Sequence, residues 1–293
     1  LAGSCLTNEG GNIRNCSGEG GGICLVGLHI GGETHFSGDL LNLFKPNTGI
    51  IADVKLLQEL GKGGLYELTF DFGDDHVKSY FGMRSTGFEG KKFMLNGKSV
   101  FMRTVLDQGY YIDGIYTAPT DADLIKDIEL SYAAGFNGAR LHQKVFEPRF
   151  LYHCDRLGYM VWGEYGNWGL DVSRPESLKS YLEPWMDVLD RDFNSPALVC
   201  WCPFNETWDR DGRKQDNGVL SGIYYTTKAI DTTRPCIDSS GHYHVTTDIF
   251  DIHDYEQNVD TFRSHYAAMA EGGAVYNNFP NRQTYGGQPY MVT

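Results

Sequence analysis

The sequence predicts an α/β protein, a (β/α)8 TIM barrel preceded by a small β segment. Two observations carry this prediction. From Val100 onward, strands and helices alternate at the spacing of right-handed βαβ units, which predicts a parallel sheet. Residues 198–204 form an apolar run of strand length, as expected of a strand that is buried on both faces. A chain of 293 residues has the length of one such barrel or of two ordinary domains.

The strands are predicted in chain order from period-two patterns and apolar runs. Residues 65–72 alternate and can pair with 76–81 as a β-hairpin across a turn at 73–75. A second hairpin is predicted from 93–95 and 99–102, around Asn96-Gly97. Barrel strands are predicted at 100–106, 136–142, 159–164, 198–204, 235–239, 247–252 and 288–293. These are seven strands of an expected eight.

Helices are predicted between these strands, at 124–134, 148–158, 176–193 and 218–230. Thr120 and Asp123 have the spacing of a capping box in front of the first helix. Pro148 suits the first turn of the second helix, and Gly158 suits its end. Pro184 predicts a bend in the third helix, because proline removes a backbone donor.

The first 64 residues are rich in glycine and show neither helical nor strand periodicity, so their fold stays unassigned. Residues 18–23 lack the final glycine of a dinucleotide-binding fingerprint, and no clear strand precedes them. Dinucleotide binding is therefore rejected, and no cofactor is predicted.

Charge and composition limit the possible partners. A net charge of −13 repels nucleic acid and anionic membranes, and the apolar runs are far shorter than the roughly 20 residues of a membrane-spanning helix. Aromatic residues make up 13% of the chain and suit the faces of sugar rings. The seven cysteines show no CxxC spacing, which favours buried free thiols and a reducing compartment. A neutral or cationic partner is expected, with no nucleic acid and no membrane.

Polar and aromatic residues follow the predicted strands at the ends that converge in a barrel. They are Asp107, Gln108, Arg140, His142, Glu164, Asn167, Trp168, Asn205, Glu206, Asp238, His253, Asp254, Tyr255 and Glu256. Glu206 directly follows a buried strand, so it is either a functional carboxylate or a surface residue turned to solvent.

This set suits glycoside hydrolysis. A retaining glycosidase needs one carboxylic acid to protonate the leaving oxygen and a second carboxylate about 5–5.5 Å away to attack the sugar. Glu206 can be the acid and then the base, and Asn205 can bind a sugar hydroxyl. Trp168 and Trp208 are candidate stacking walls, whereas Trp201 suits the core equally well.

Three other features have simpler interpretations. Glu164 can orient Arg140 or His142, or it can act on the substrate directly. The histidines at 242, 244 and 253 lack the cysteine or carboxylate spacing of a zinc site, so no metal is predicted. The thiols at 200 and 202 lie on one face of a strand and are interpreted as inert core.

A set of motifs gives the chain a family resemblance. They are Phe93-Met-Leu-Asn-Gly-Lys-Ser-Val-Phe, Asp107-Gln-Gly, Phe136-Asn-Gly-Ala-Arg-Leu-His-Gln, Tyr159-Met-Val-Trp-Gly-Glu, Asn205-Glu206 and His253-Asp-Tyr-Glu-Gln. Over residues 65–293 the chain resembles glycoside hydrolase family 2, and within it the bacterial β-galactosidase-like members. The resemblance implies a sugar-binding-type sandwich, an immunoglobulin-like domain and a catalytic barrel that retains anomeric configuration.

The resemblance also implies roles for the site residues. It makes Glu206 the acid/base of a retaining, exo-acting β-glycosidase, with β-galactosidase as the expected activity, and Asn205 a ligand of a sugar hydroxyl. Tyr255 would be a partner of the nucleophile. The other expected substrate-binding residues are Arg140, His142, Trp168, Glu164, His253 and Asp107.

Two departures from the family pattern shape the expected domains. The family's nucleophile follows a segment like 288–293, so it is expected just after Thr293 and the barrel is expected to be truncated after or within strand 7. Residues 65–90 resemble the end of the immunoglobulin-like domain, 91–293 form the incomplete barrel, and 1–64 do not resemble the sandwich. The polypeptide as given is therefore expected to be inactive or nearly so. Its open sheet edges make a homo-oligomer possible.

Alternatives remain open at the level of function. A non-catalytic carbohydrate-binding protein would keep the aromatic cleft without the chemistry. A β-mannosidase or a β-glucuronidase would share the motifs, although a glucuronidase needs a basic group for the sugar carboxylate and only Arg140 stands out. The expected partner is a β-galactoside or related oligosaccharide, in the cytoplasm or periplasm of a bacterium.

Overall fold

The computed structural model describes residues 64–293, apart from residue 73, together with four short strands earlier in the chain. These are β1 (Ser4–Leu6), β2 (Ile23–Leu25), β3 (Thr34–Phe36) and β4 (Ile50–Leu56). Strands β5 (Leu65–Phe72) and β6 (Asp75–Met83) pair antiparallel and confirm the first predicted hairpin. They belong to a sheet of order β2-β6-β5-β4. Predictions for the rest of residues 1–63 lie outside the described residues.

The second hairpin belongs to a small antiparallel sheet, β7 (Thr86–Glu89), β8 (Lys92–Leu95) and β9 (Lys98–Ser99). Asn96 and Gly97 have φ angles of 52° and 71°, the left-handed values that a tight hairpin turn requires. The turn is confirmed. Its second strand ends at Ser99, earlier than the predicted residue 102.

A parallel sheet of four strands begins the barrel, in the order β10 (Thr104–Asp107), β11 (Gly138–Leu141), β12 (Met160–Glu164) and β13 (Leu198–Cys202). Each strand lies next to its predecessor in the chain, as right-handed βαβ units require. Strands β14 (Phe250–Ile252) and β15 (Tyr290–Val292) also pair parallel. The predicted parallel sheet is therefore confirmed for the first four strands, and β14 and β15 form a separate parallel pair.

The predicted strand at 235–239 is wrong as a regular strand. The segment lies parallel to β13 through isolated bridges, Trp201 with Cys236 and Asn205 with Ser240. Pro235 has no backbone donor, and the amide of Cys236 donates to the side chain of Asp248 at 2.9 Å, so a continuous ladder does not form. The segment still occupies the place between β13 and β14, because the amide of Asp248 donates to the carbonyl of Cys236.

Five α-helices lie in the described part of the chain: α1 (Asp121–Ala133), α2 (Pro148–Leu157), α3 (Leu178–Asp192), α4 (Asn217–Ile230) and α5 (Val259–Ala270). The capping box of Thr120 and Asp123 is confirmed, and Gly158 ends α2 in the left-handed conformation. Pro184 lies inside α3. Helix α5 was not predicted. None of the helices in this part of the chain has the length and apolarity to cross a bilayer.

The sheet buries apolar side chains on both of its faces. A large cluster packs the helices on the sheet and includes Trp185 and Trp201, so Trp201 belongs to the core. The opposite face carries a second cluster that includes Trp162, Cys200 and Cys202, whose buried free thiols confirm the interpretation as core. Because side chains alternate along a strand, these residues share the inner face with the polar groups described below.

Arg234 joins three segments in the interior. Its side chain is fully buried and donates to the carbonyls of Phe193, Ser195 and Leu198 and to the carboxylate of Asp231. Removing one partner of a buried pair leaves an uncompensated charge and unsatisfied acceptors.

We predict that Arg234→Met lowers the free energy of unfolding by about 3–5 kcal/mol in urea denaturation. The matched control is Arg213→Met, which removes an arginine paired with Asp171 near the surface and should cost at most about 1 kcal/mol. An equal loss of unfolding free energy in the two variants would show that the buried contacts of Arg234 stabilise the fold no more than a surface ion pair.

Candidate active site

The carboxyl ends of the parallel strands bring polar side chains together. Arg140 lies in β11, Glu164 ends β12, and Asn205 and Glu206 follow β13. His253 directly follows β14. Because neighbouring parallel strands end at the same edge of the sheet, residues far apart in sequence meet there.

The buried guanidinium of Arg140 is the centre of the group. Its Nε lies 3.2 Å from Glu164 Oε1, and Nη2 donates to Asn205 Oδ1 at 2.9 Å. Nη1 donates to the hydroxyl of Ser240, and Nη2 also lies 3.1 Å from His142 Nδ1. Burial disfavours its charge, but the surrounding carboxylates, Glu164 above all, raise the pKa of Arg140 overall.

Glu164 is fixed in the interior by its neighbours. Its side chain is fully buried against Arg140, and Oε2 accepts from the amide of Gln143 at 2.9 Å and lies 3.6 Å from His142 Nδ1. These are the contacts of a carboxylate that orients Arg140 and His142. A direct action of Glu164 on the substrate stays a prediction.

Asn205 is held at both its side chain and its backbone. Besides the bond from Arg140, its backbone amide donates to Asn167 Oδ1 at 3.0 Å and its backbone carbonyl accepts from Asn167 Nδ2 at 2.9 Å. This reciprocal pair ties the chain after β12 to the chain after β13. The carboxamide of Asn205 is therefore fixed in orientation.

Glu206 has a left-handed backbone, with φ of 42°, which is uncommon for a residue with a side chain. Its amide donates to the carbonyl of Ser240 at 3.0 Å. Its Oε1 lies 2.5 Å from both His253 Nδ1 and Tyr255 Oη. Hydrogen bonding from His253, with help from Tyr255 and against a smaller effect of burial, lowers the pKa of Glu206 to about 2. The carboxyl is therefore ionised at neutral pH.

Sequence reasoning missed Ser240 and Asp251. The Ser240 hydroxyl donates to Asp251 Oδ2 at 2.6 Å and lies 3.1 Å from His253 Nε2. Asp251 is fully buried inside β14. An acidic residue within an apolar strand is the feature of the sequence that could have revealed it. His244 supports Asp251 from behind, with Nε2 at 3.2 Å from Oδ1.

The histidines at 242, 244 and 253 have separate partners. His242 Nδ1 lies 2.8 Å from the carbonyl of Thr207, His244 Nδ1 lies 2.7 Å from Asp238, and His253 faces Glu206. Among the residues that the structure describes, no group of three or more His, Cys, Asp or Glu side chains could hold a metal ion.

Asp107, Trp168 and Trp208 were also predicted to belong to the site. Asp107 accepts from the amide of Gly109 at 2.8 Å, its carbonyl accepts from the amide of His142, and burial raises its pKa. Trp168 is 75% exposed and Trp208 is 53% exposed, with the Trp208 ring 4.0 Å from that of His242. Their roles as stacking walls stay predictions. The structure brings together Arg140, His142, Glu164, Asn205, Glu206, His253 and Tyr255.

This architecture defines a parallel β/α-barrel protein with a carboxylate-rich site at the carboxyl ends of its strands. Residues 87–291 match the profile described as "Glycosyl hydrolases family 2, TIM barrel domain". The chain therefore belongs to glycosyl hydrolase family 2.

Known proteins of two kinds are similar to the chain. The β-glucuronidase of Mus musculus is 28% identical over 174 residues, which are 55% of this chain and 25% of that protein. The β-galactosidase of Thermoanaerobacterium thermosulfurigenes is 26% identical over 181 residues, 58% of this chain and 24% of that protein. The chain thus spans about a quarter of the length of these curated relatives.

The fold is shared with solved structures as well. A β-glucuronidase from an uncultured Clostridium species superposes with a TM-score of 0.69 at 16% identity. The match covers 97% of this chain and 52% of that one.

The contact between Tyr255 and Glu206 can be tested by titration. We predict that Tyr255→Phe raises the pKa of Glu206 above its value of about 2, because the ionised carboxylate loses one of its two donors. Side-chain carboxyl carbon NMR of glutamate-labelled protein measures the shift, and Glu206→Gln assigns the signal.

Tyr266→Phe is the matched control for that titration. The Tyr266 hydroxyl donates to Asp254 Oδ2 at 2.8 Å, so its loss should leave the Glu206 signal unchanged. A Tyr255→Phe spectrum identical to that of the parent protein would show that the hydroxyl does not stabilise the carboxylate.

Proposed function

We propose that the chain carries the acid/base half of a retaining, exo-acting β-glycosidase that works by double displacement, with Glu206 as the acid and then the base. The observation that carries the proposal is the position of Glu206 beside Asn205 at the end of β13, with its carboxylate held by His253 and Tyr255. Membership of glycosyl hydrolase family 2 supports the class of reaction. A carboxyl in this role must exchange a proton with the glycosidic oxygen and then with water.

Asn205 and Arg140 suit the proposed binding of the sugar. Because Oδ1 of Asn205 accepts from Arg140, the amide nitrogen is the group that would donate to a sugar hydroxyl. A fixed donor costs no reorganisation when the hydroxyl bond strengthens in the transition state. Arg140 would therefore hold the Asn205 side chain in place, and Asn205 would present its amide nitrogen to the sugar.

We propose that the nucleophilic carboxylate belongs to a residue just after Thr293. The amide of Thr293 donates to the carbonyl of Ile252 at 2.9 Å, so the chain leaves β15 beside β14. The Thr293 hydroxyl donates to Asp251 Oδ2 at 2.8 Å and thereby joins the hydrogen-bond network around Ser240. A residue that follows would enter the site on the side of His253 and Tyr255, where the resemblance expects a partner for Tyr255.

The substrate class has two candidates. The sequence motifs favour a terminal β-galactoside. A β-glucuronide is the second candidate, because curated relatives include β-glucuronidases. The guanidinium of Arg140 is already paired with Glu164, so a glucuronide would need another basic group for its carboxylate.

We predict that Glu206→Gln lowers kcat on p-nitrophenyl β-glycosides by about 10²–10⁴-fold in the protein extended by its native downstream residues. Azide should restore turnover and give a β-glycosyl azide, because an anion replaces the water that Glu206 would activate. Glu256→Gln is the control, since its carboxylate accepts from Asn258 within its own loop. A Glu206→Gln enzyme with undiminished turnover would refute the assignment and direct attention to Glu164 or Glu256.

We predict hydrolysis of β-galactosides by the extended protein in a panel of p-nitrophenyl β-galactoside, β-glucuronide and β-mannoside. The relative kcat/KM values decide between the candidate sugars. Calorimetric binding of galactosides without turnover of any glycoside would instead select a non-catalytic carbohydrate-binding protein.

A further inference from the structure

We propose that His253 is a positioning residue that shares one proton with Glu206, and that Ser240 fixes the ring tautomer by accepting a hydrogen bond from Nε2. The proposal rests on the acid/base role of Glu206 put forward above. It explains how the carboxyl group of Glu206 can be ionised and still deliver a proton to the substrate.

The argument starts from Asp251, whose side chain can only accept hydrogen bonds when it is ionised. Burial by itself would raise its pKa, but hydrogen bonding to His244 and the charge of that ring lower the pKa of Asp251 to about 2. His244 lies between Asp251 and Asp238 and has its own pKa raised to about 10 by these two carboxylates, against the effect of burial. Asp251 is therefore an anion.

The Ser240 hydroxyl has one proton and two lone pairs. Its oxygen lies 2.6 Å from Asp251 Oδ2, and two oxygens at that distance require a proton between them, so the Ser240 proton points to Asp251. Arg140 Nη1 has no lone pair and must donate to Ser240. His253 Nε2, at 3.1 Å, faces the remaining lone pair. The proton on His253 Nε2 is thereby fixed.

With Nε2 protonated, the other ring nitrogen faces Glu206. His253 Nδ1 lies 2.5 Å from Glu206 Oε1, and one proton lies between the two atoms. That proton sits on the ring when Glu206 is ionised, and on the carboxyl when the ring is neutral. The two arrangements have the same total charge, so they differ only in which of the two atoms holds the proton.

The pair of His253 and Glu206 can supply the proton that the first step of the proposed reaction needs and take it back in the second. When the glycosidic bond breaks, its oxygen takes a proton from Glu206, which is left ionised beside a neutral His253 ring. When water attacks the sugar intermediate, Glu206 accepts the proton of that water and the pair returns to its first state. No further donor or acceptor is needed.

Gly241 lets the His253 ring lie close against the backbone. A Cβ at this position would lie 2.1 Å from Cγ of His253, and the φ of 74° also favours glycine. Only a residue without a side chain allows the ring to lie this close to the backbone.

The titratable and charged groups around the ring are Arg140 from β11, Glu206 after β13, His242 before β14, Asp251 in β14 and Tyr255 from its own loop.

The tautomer can be measured by ¹⁵N NMR of histidine-labelled protein, with His253→Asn used to assign the signals. The neutral ring of His253 is expected to carry its proton on Nε2 and none on Nδ1. Ser240→Ala removes the acceptor, so its neutral ring should shift toward the Nδ1-protonated tautomer, which donates to Glu206.

Ser239→Ala is the matched control for Ser240→Ala. Ser239 is equally buried but its hydroxyl contacts Thr207, so its loss should leave the His253 tautomer unchanged. A neutral ring protonated on Nδ1 in the parent protein would overturn the proposal, and this result needs no folded Ser240→Ala variant. Identical tautomers in both serine variants would overturn the role of Ser240.

The pH profile of the extended protein separates proton sharing from simple support. His253→Asn keeps a donor toward Glu206 but has no proton to share, so the basic limb of kcat/KM should move to lower pH, with a fall of about 10²-fold at neutral pH. A uniform loss at every pH, with the limb unmoved, would show that His253 only holds Glu206 in place. If the parent protein turns over no glycoside, the proposed function fails, whereas the tautomer measurement still decides the assignment of His253.

Discussion

The buried guanidinium of Arg140 is the interaction on which the rest of the site depends. It reaches Glu164 from β12, Asn205 after β13 and Ser240 before β14, so one side chain ties three neighbouring parts of the sheet together. Its planar fork of donors can satisfy acceptors in several directions and stays charged when buried, which lysine could not match. Strand order and site geometry are therefore specified by the same residue.

Much of the barrel could be predicted because buried strands and helix caps leave local signals. The capping box at Thr120 and the apolar run that became β13 depend on nearby residues only. Helix α5 left no such signal, because none of its residues is buried and only Asn258 marks its start. The segment at 235–239 has the composition of a strand, but its ladder is interrupted by the side-chain contact of Asp248.

The residues of the site also fall into those that the sequence could predict and those that it could not. The rule that parallel strands keep their functional groups at their carboxyl ends predicted Arg140, Glu206 and His253 from sequence, because each stands next to a strand. Ser240 and Asp251 escaped, since a serine after an irregular segment and an acid inside a short strand acquire meaning only through partners distant in sequence. Pattern shows where a site lies, whereas three-dimensional contacts show which hydrogen bonds it uses.

Charges alternate through this interior, and that alternation makes the site a single unit. The cations of Arg140 and His244 lie between the carboxylates of Glu164, Asp251 and Asp238, all of them buried. A buried charge without its partner costs far more than the pair gains, so removing any one member disturbs the protonation of the others. Effects of substitutions here should not add, and double-mutant cycles are the appropriate measure of the coupling. The His253 ring joins Glu206 to this buried network, because the hydroxyl of Ser240 contacts both Asp251 and His253.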